Sequence, residues 1–127
     1  MTADTDSVQN ALKRGQTVDI TTTGRTSGAP RRIEIVFHNI DGRIYISGMP
    51  FPNKRSWLAN LEENPDFILH LKGTVKADLP AKARVIDDEP ERRAVLPHIA
   101  RAWNRKDLET MVEQSPLIEV TFDPGTK

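Results

Sequence analysis

Three alternating segments lie between Thr17 and Gly48, separated by joins too short to hold a helix, and they limit the folds open to this chain more than any other feature. "TVDITTT" is rich in β-branched residues. "RRIEIVFHN" sets Ile33, Ile35 and Phe37 against Arg32, Glu34 and Val36, and "RIYISG" sets Ile44 and Ile46 against Tyr45 and Ser47. A period of two sends successive side chains to opposite faces of a strand. Gly24 to Pro30 and Asp41-Gly42 carry turn chemistry, so the pattern predicts a three-stranded antiparallel meander.

The flanking segments extend this frame. Ser7 can cap a short helix running to Arg14, with Gly15 as its stop, and residues 1–6 are expected to be disordered. "KRSWLANLEENP" places Trp57, Leu58 and Leu61 on one helical side, and Asn64-Pro65 ends it. "DFILHLK" reads as a strand and "TVKADLPAKARVID" as a long one, in which Pro80 marks a bulge or an edge. In the following helical region Asp87 or Asp88 is the cap, and Ala94, Val95, Ile99 and Trp103 form the apolar stripe. Pro97 is expected to kink or split that helix. "PLIEVTF" is a final strand. The order α-βββ-α-ββ-αα-β contains no βαβ unit, so an α+β, mainly β architecture follows: an antiparallel sheet or barrel with flanking helices.

Length matters here because 127 residues suit one core, predicting a single domain over residues 1–127. There is no cysteine, which removes thiolate chemistry and disulfides. The apolar runs are too short to span a bilayer, and no secretory pattern opens the chain, so a cytoplasmic location without membrane insertion is expected. His38, His70 and His98 are too far apart for a local metal motif, and no metal site is expected. P-loop, Rossmann, GxSxG and HExxH signatures are absent.

Net charge is zero, and with few aromatic residues this argues against a nucleic-acid partner. The charge is unevenly placed, however. From Gly24 to Trp57 there are six basic residues, Arg25, Arg31, Arg32, Arg43, Lys54 and Arg55, against Glu34 and Asp41. In the Gly24 to Pro30 loop, glycines free the backbone to present amides, Thr26 and Ser27 offer hydroxyls, and Arg25 and Arg31 offer charged forks. These are the parts of a phosphate or carboxylate site. Lys54 and Arg55 stand at a helix start, where acidic residues are usual, and point to an anionic partner.

With "TTTGRTSGAPRR" followed by "WLANLEENP" and "LHLK", the chain resembles the deazaflavin-dependent nitroreductase family of actinobacteria, related to pyridoxamine-phosphate-oxidase-like split barrels, over Val18 to Phe122. The resemblance implies a split β-barrel that binds coenzyme F420, a 5-deazaflavin whose tail carries a phosphodiester and glutamates. Arg25, Thr26 and Ser27 would contact the tail, and Arg31, Arg32, Ile33, Ile35 and Val36 would line the cofactor. Ser47 and Gly48 would lie beside the ring, with Ser56, Trp57 and Asn60 on the facing wall. Lys54 and Arg55 are added on electrostatic grounds. The implied reaction is hydride transfer from the reduced deazaflavin to a small electron-poor acceptor: a quinone, nitroaromatic or conjugated enone.

The family's second strand usually has proline where Glu34 stands, and its late helices offer tyrosines, whereas Tyr45 is the only tyrosine here. Trp103 is the substitute stacking surface, and the proton donor is Ser47, His98 or solvent. An FMN-dependent split barrel and a non-catalytic cofactor- or ligand-binding protein are the alternatives. Related barrels often form homodimers, and no interface patch stands out in this sequence.

Overall fold

The expected alternation closes on itself. The computed structural model describes residues 5–13, 16–50, 55–73 and 75–122. Its strands are β1 (Gln16–Thr23), β2 (Pro30–Ile40), β3 (Arg43–Ser47), β4 (Asp66–Lys72), β5 (Lys76–Val85) and β6 (Leu117–Phe122). They form a closed antiparallel barrel in the order β1-β2-β3-β6-β5-β4. The helices are α1 (Thr5–Leu12), α2 (Ser56–Glu63), α3 (Glu89–Ala102) and α4 (Leu108–Gln114), so both the α+β class and the element order match expectation. Helix α1 begins at Thr5, before Ser7, and Ala11 and Leu12 anchor it in the core. Among the described residues no helix is long and apolar enough to cross a membrane.

The inner face carries Val18, Ile20, Phe37, Ile46, Leu69 and Ile118, each fully buried. Burial of such a side chain stabilises the fold by about 1.5–3 kcal/mol. A second apolar cluster lies outside the barrel, where Tyr45 and Leu117 meet Val95, Leu96, Ile99 and Met111 of the late helices. Strand β3 is therefore covered on both faces.

Two prolines behave according to their neighbours. Pro80 pairs in unbroken register with Ile68 of β4, so there is no bulge, while among the described residues β6 pairs with β5 from Ala81 onward. The missing amide therefore falls on a local edge. Helix α3 runs through Pro97 without a break; the lost bond belongs to the carbonyl of Arg93, an exposed residue. The chain instead breaks after Ala102, where Asn104 adopts φ 55°. The Asn104 amide donates to the Arg101 carbonyl at 3.1 Å and the Arg105 amide to the Ala100 carbonyl at 2.8 Å, a Schellman closure. The buried stripe of α3 includes Leu96, whereas Ala94 is exposed and Trp103 half-buried, because the helix turns Val95, Leu96 and Ile99 toward β3 and β6. Asp88 is the cap, accepting from the Glu91 amide at 3.1 Å.

Buried polar groups fasten these layers. Arg92 donates to the carbonyls of Val112 (2.8 Å), Ile86 (2.9 Å), Met111 (3.2 Å) and Ser115, tying α3 to the end of α4. Outside the barrel, His70 bridges Asp78 Oδ1 and Thr21 Oγ1, both at 2.7 Å. With Nδ1 donating to the Asp78 carboxylate, a singly protonated ring accepts at Nε2 from the Thr21 hydroxyl. Asp19 and Glu34 stand opposite each other across β1 and β2. Lys72 pairs with both, and Arg32 Nε reaches Asp19 at 2.9 Å, which offsets the like-charge repulsion. Lys72 first and Arg32 second hold the Asp19 carboxyl below the usual carboxylate range.

Two outcomes follow. Arg92→Met leaves buried carbonyls without donors and is expected to lower unfolding free energy by about 3 kcal/mol in urea titration. A depressed Asp19 contributes stability above the unfolded carboxylate range, about pH 4, that is lost as pH falls through the lower folded value. Thermal melts below pH 4 should therefore decline more steeply for the native protein than for Asp19→Asn.

Candidate functional site

The turn between β1 and β2 is built by its own backbone. The Gly24 amide donates to the Ala29 carbonyl and the Gly28 amide to the Gly24 carbonyl, both at 2.8 Å. The Ala29 amide donates to Ser27 Oγ at 3.1 Å. Gly28 sits at φ 73°, which favours glycine, and a Cβ on Gly24 would stand 2.9 Å from Ser27 Oγ. The amides of both glycines thus shape the loop rather than face a ligand, contrary to the sequence expectation. The hydroxyl proton of Ser27 stays available.

Helix α2 closes the other side. It starts at Ser56 after an extended Arg55, with no side-chain cap and no acidic residue in its first turn. Its first amides lack intrahelical partners and carry the positive end of the helix dipole. Buried Asn60 joins helix and loop: Oδ1 accepts from the Arg25 amide (3.1 Å) and from Arg25 Nη1 (2.9 Å), and Nδ2 donates to Thr22 Oγ1 (3.1 Å). Arg25 Nη1 also donates to the Ser56 carbonyl at 3.3 Å.

Between these elements lies a cavity of about 760 Å³. Arg25, Arg31 and Arg55 line it with Thr22, Gly24, Thr26, Ser27, Ser56 and Asn60, while Ile33 and Trp57 supply an apolar wall. Among the described residues, no carboxylate lines it. Arg55 Nη2 donates to the Met49 carbonyl at 3.0 Å. A cleft with three guanidiniums, hydroxyls and a flat indole suits an anionic ligand that also carries an aromatic or apolar part. Lys54 lies outside the described residues.

The remaining expected site residues divide by strand parity. Arg31 and Ile33 face the cleft, whereas Arg32 and Glu34 point to the outer face and join the Asp19–Lys72 network. Glu34 therefore does not oppose an anion in the cleft. Ile35 packs against the barrel core. Ser47 is buried and donates to the Pro116 carbonyl at 2.6 Å, which commits its hydroxyl proton within the protein. Gly48 is pressed against Pro116, where a Cβ would come within 3.0 Å of Cγ and 3.5 Å of Arg55 Nε.

Val36 and His98 belong elsewhere. They line a separate hollow of about 550 Å³ with His38 and Trp103, whose rings meet edge to face at 5.2 Å. Burial pushes the His38 imidazole pKa down, favouring its neutral form. A third hollow, about 770 Å³, is lined by Phe67, Ile68, Pro80 and Phe122 and, among the described residues, by no arginine. Thr22 lines the arginine cleft although the sequence reading did not single it out. The period-two pattern through Val18 and Ile20 was the available signal for Thr22.

Residues 2–121 match the F420H(2)-dependent quinone reductase family. No curated protein matches the chain. Among solved structures, a conserved hypothetical protein of Mycobacterium tuberculosis is similar at 14% identity and TM-score 0.73, over 94% of this chain and 80% of that one. A candidate 5-nitroimidazole antibiotic resistance protein of Bacteroides thetaiotaomicron is similar at 16% identity and TM-score 0.68, with the same coverage of 94% and 80%. A candidate pyridoxamine 5'-phosphate oxidase of Listeria innocua is similar at 13% identity and TM-score 0.67, over 93% and 92%. At such identities the solved structures establish the fold, and the family match over nearly the whole chain establishes kinship. An arginine-lined cleft on a split β-barrel thus stands in a chain that belongs to the F420H(2)-dependent quinone reductase family of oxidoreductases.

Proposed function

We propose that the chain binds coenzyme F420 through its anionic tail in the Arg25–Arg31–Arg55 cleft and acts as a reductase of a quinone, nitroaromatic or conjugated enone. The observation that carries this reading is the cleft's lining, among the described residues, of three arginines without a carboxylate, beside Trp57 and Ile33. A phosphodiester and glutamates match those guanidiniums and the uncapped start of α2. The indole and Ile33 suit the less polar part of the ligand.

When bound, reduced F420 supplies the hydride, from C5 of its deazaflavin ring. The chain's own residues then bind, orient and shield. Arg25 and Arg31 fix the tail, Thr26 and Ser27 add hydroxyls, and Trp57 limits water on one wall. Arginines held in place make the approach of the two reactants effectively intramolecular. Ser47 supports this arrangement indirectly, by clipping β3 to Pro116 ahead of β6. The reading assigns the product's proton to water, because the Ser47 hydroxyl is committed and His98 lines the separate hollow.

Reduced F420 mixed with menadione is expected to be oxidised in the presence of the protein, with recovery of the oxidised deazaflavin absorbance. Tight FMN binding without any F420 response would replace this reading by a flavin-dependent one, and F420 binding without turnover would favour a carrier. In a tryptophan-fluorescence titration with F420, Arg31→Ala should weaken binding by about 10- to 100-fold, as expected for lost charged hydrogen bonds. Unchanged affinity would return Arg31 to the role of a solvated surface residue.

A further inference from the structure

Asn60 lies in the wall of the cleft, yet its hydrogen bonds point into the protein. Oδ1 accepts twice from Arg25, and Nδ2 reaches Thr22 Oγ1. Arg25 Nη1 has two hydrogens, one directed to Asn60 Oδ1 and the other to the Ser56 carbonyl. Among the described residues, Nε and Nη2 of Arg25 make no hydrogen bond. Those two nitrogens form one edge of the planar guanidinium, and their parallel N–H groups match a pair of oxygens on one anionic centre.

We infer that Asn60 is a positioning residue, which locks Arg25 so that its Nε–Nη2 edge becomes a preset fork for a two-oxygen anion, a phosphodiester or a carboxylate. This rests on the tail-binding reading above and deepens it. An exposed arginine ordinarily gives up considerable side-chain freedom when it captures a ligand. Here buried Asn60 and the Ser56 carbonyl have already removed part of that freedom, so less is lost on binding. The Arg25 amide bond to the same oxygen fixes the loop together with the side chain. By the same geometry a lysine at this position would not serve: one ammonium cannot hold Asn60 and Ser56 while presenting a planar fork outward.

A double-mutant cycle on F420 affinity tests the inference. Arg25→Ala and Asn60→Leu should each weaken binding about tenfold, as for loss of a charged hydrogen-bond pair, and the double variant should bind no more weakly than Arg25→Ala alone. Additive losses, or native affinity in Asn60→Leu, would overturn it. Asn60→Asp keeps the accepting oxygen but places a carboxylate against Arg25, so binding should weaken and the salt dependence of affinity should become shallower. That variant decides the matter if Asn60→Leu does not fold, with unchanged affinity and salt dependence counting against the inference. Repeating the cycle with F420 stripped of its glutamates separates the anions: coupling retained assigns the fork to the phosphodiester, and coupling lost assigns it to a carboxylate. If the native protein binds no F420, the tail-binding reading fails and this inference with it; binding with an additive cycle removes this inference alone.

Discussion

Closure of the barrel is the constraint on which the rest depends. Strand β6 pairs with β3 on one side and β5 on the other, and β1 pairs with both β2 and β4. Once the sheet has no free side, each strand residue has only an inward or an outward direction, and the register propagates that choice from strand to strand. Thr22 is opposite Arg31 and Ile20 opposite Ile33, so an apolar interior grades at one end into a cationic cleft. Asp19 is opposite Glu34, so the carboxylates gather outside, where Lys72 and Arg32 meet them. A shift of one residue thus separates Arg31, which faces the cleft, from Arg32, which meets the carboxylates outside.

The helices are secured by a few buried polar side chains in addition to apolar contact. Arg92 gathers carbonyls from the chain before α3 and from the end of α4, and burial pushes its pKa down, in keeping with the absence of a carboxylate among its hydrogen-bond partners. Asn60 does the corresponding work for α2. Both satisfy groups that would otherwise be costly to bury, and each makes one relative placement of helix and strand better than its neighbours. For α2 this placement carries function, because the same hydrogen bonds that seat the helix orient Arg25.

Much of the fold was legible from local pattern. Alternation, turn residues and helical apolar spacing place the described helices and strands in order, since each depends on neighbours within a few positions. Where expectation and structure part, a distant contact is responsible. Pro97 is tolerated because the carbonyl it leaves unpaired belongs to exposed Arg93, and the break moves to Asn104, where a Schellman closure ends the helix. Leu96 rather than Ala94 is buried because α3 presents that side to β3 and β6. Motif matching named Arg25, Thr26, Ser27, Arg31, Ser56, Trp57 and Asn60, charge placement added Arg55, and the fold brings all of them to one cleft. It could not distinguish a residue that faces a ligand from one that holds its neighbour.

The sequence by itself determined the strand and helix order, the turn at Gly24 to Pro30 and the concentration of arginines around it, because these are properties of neighbouring residues. Only the tertiary structure decided that Arg31 faces the cleft while Arg32 and Glu34 face away, that Ser47 is bound to Pro116, and that Val36 and His98 line a different hollow. Those outcomes depend on barrel register and on partners as far as 69 positions away in the chain. Local periodicity fixes two faces for each strand, and it takes closure to say which of them a ligand meets.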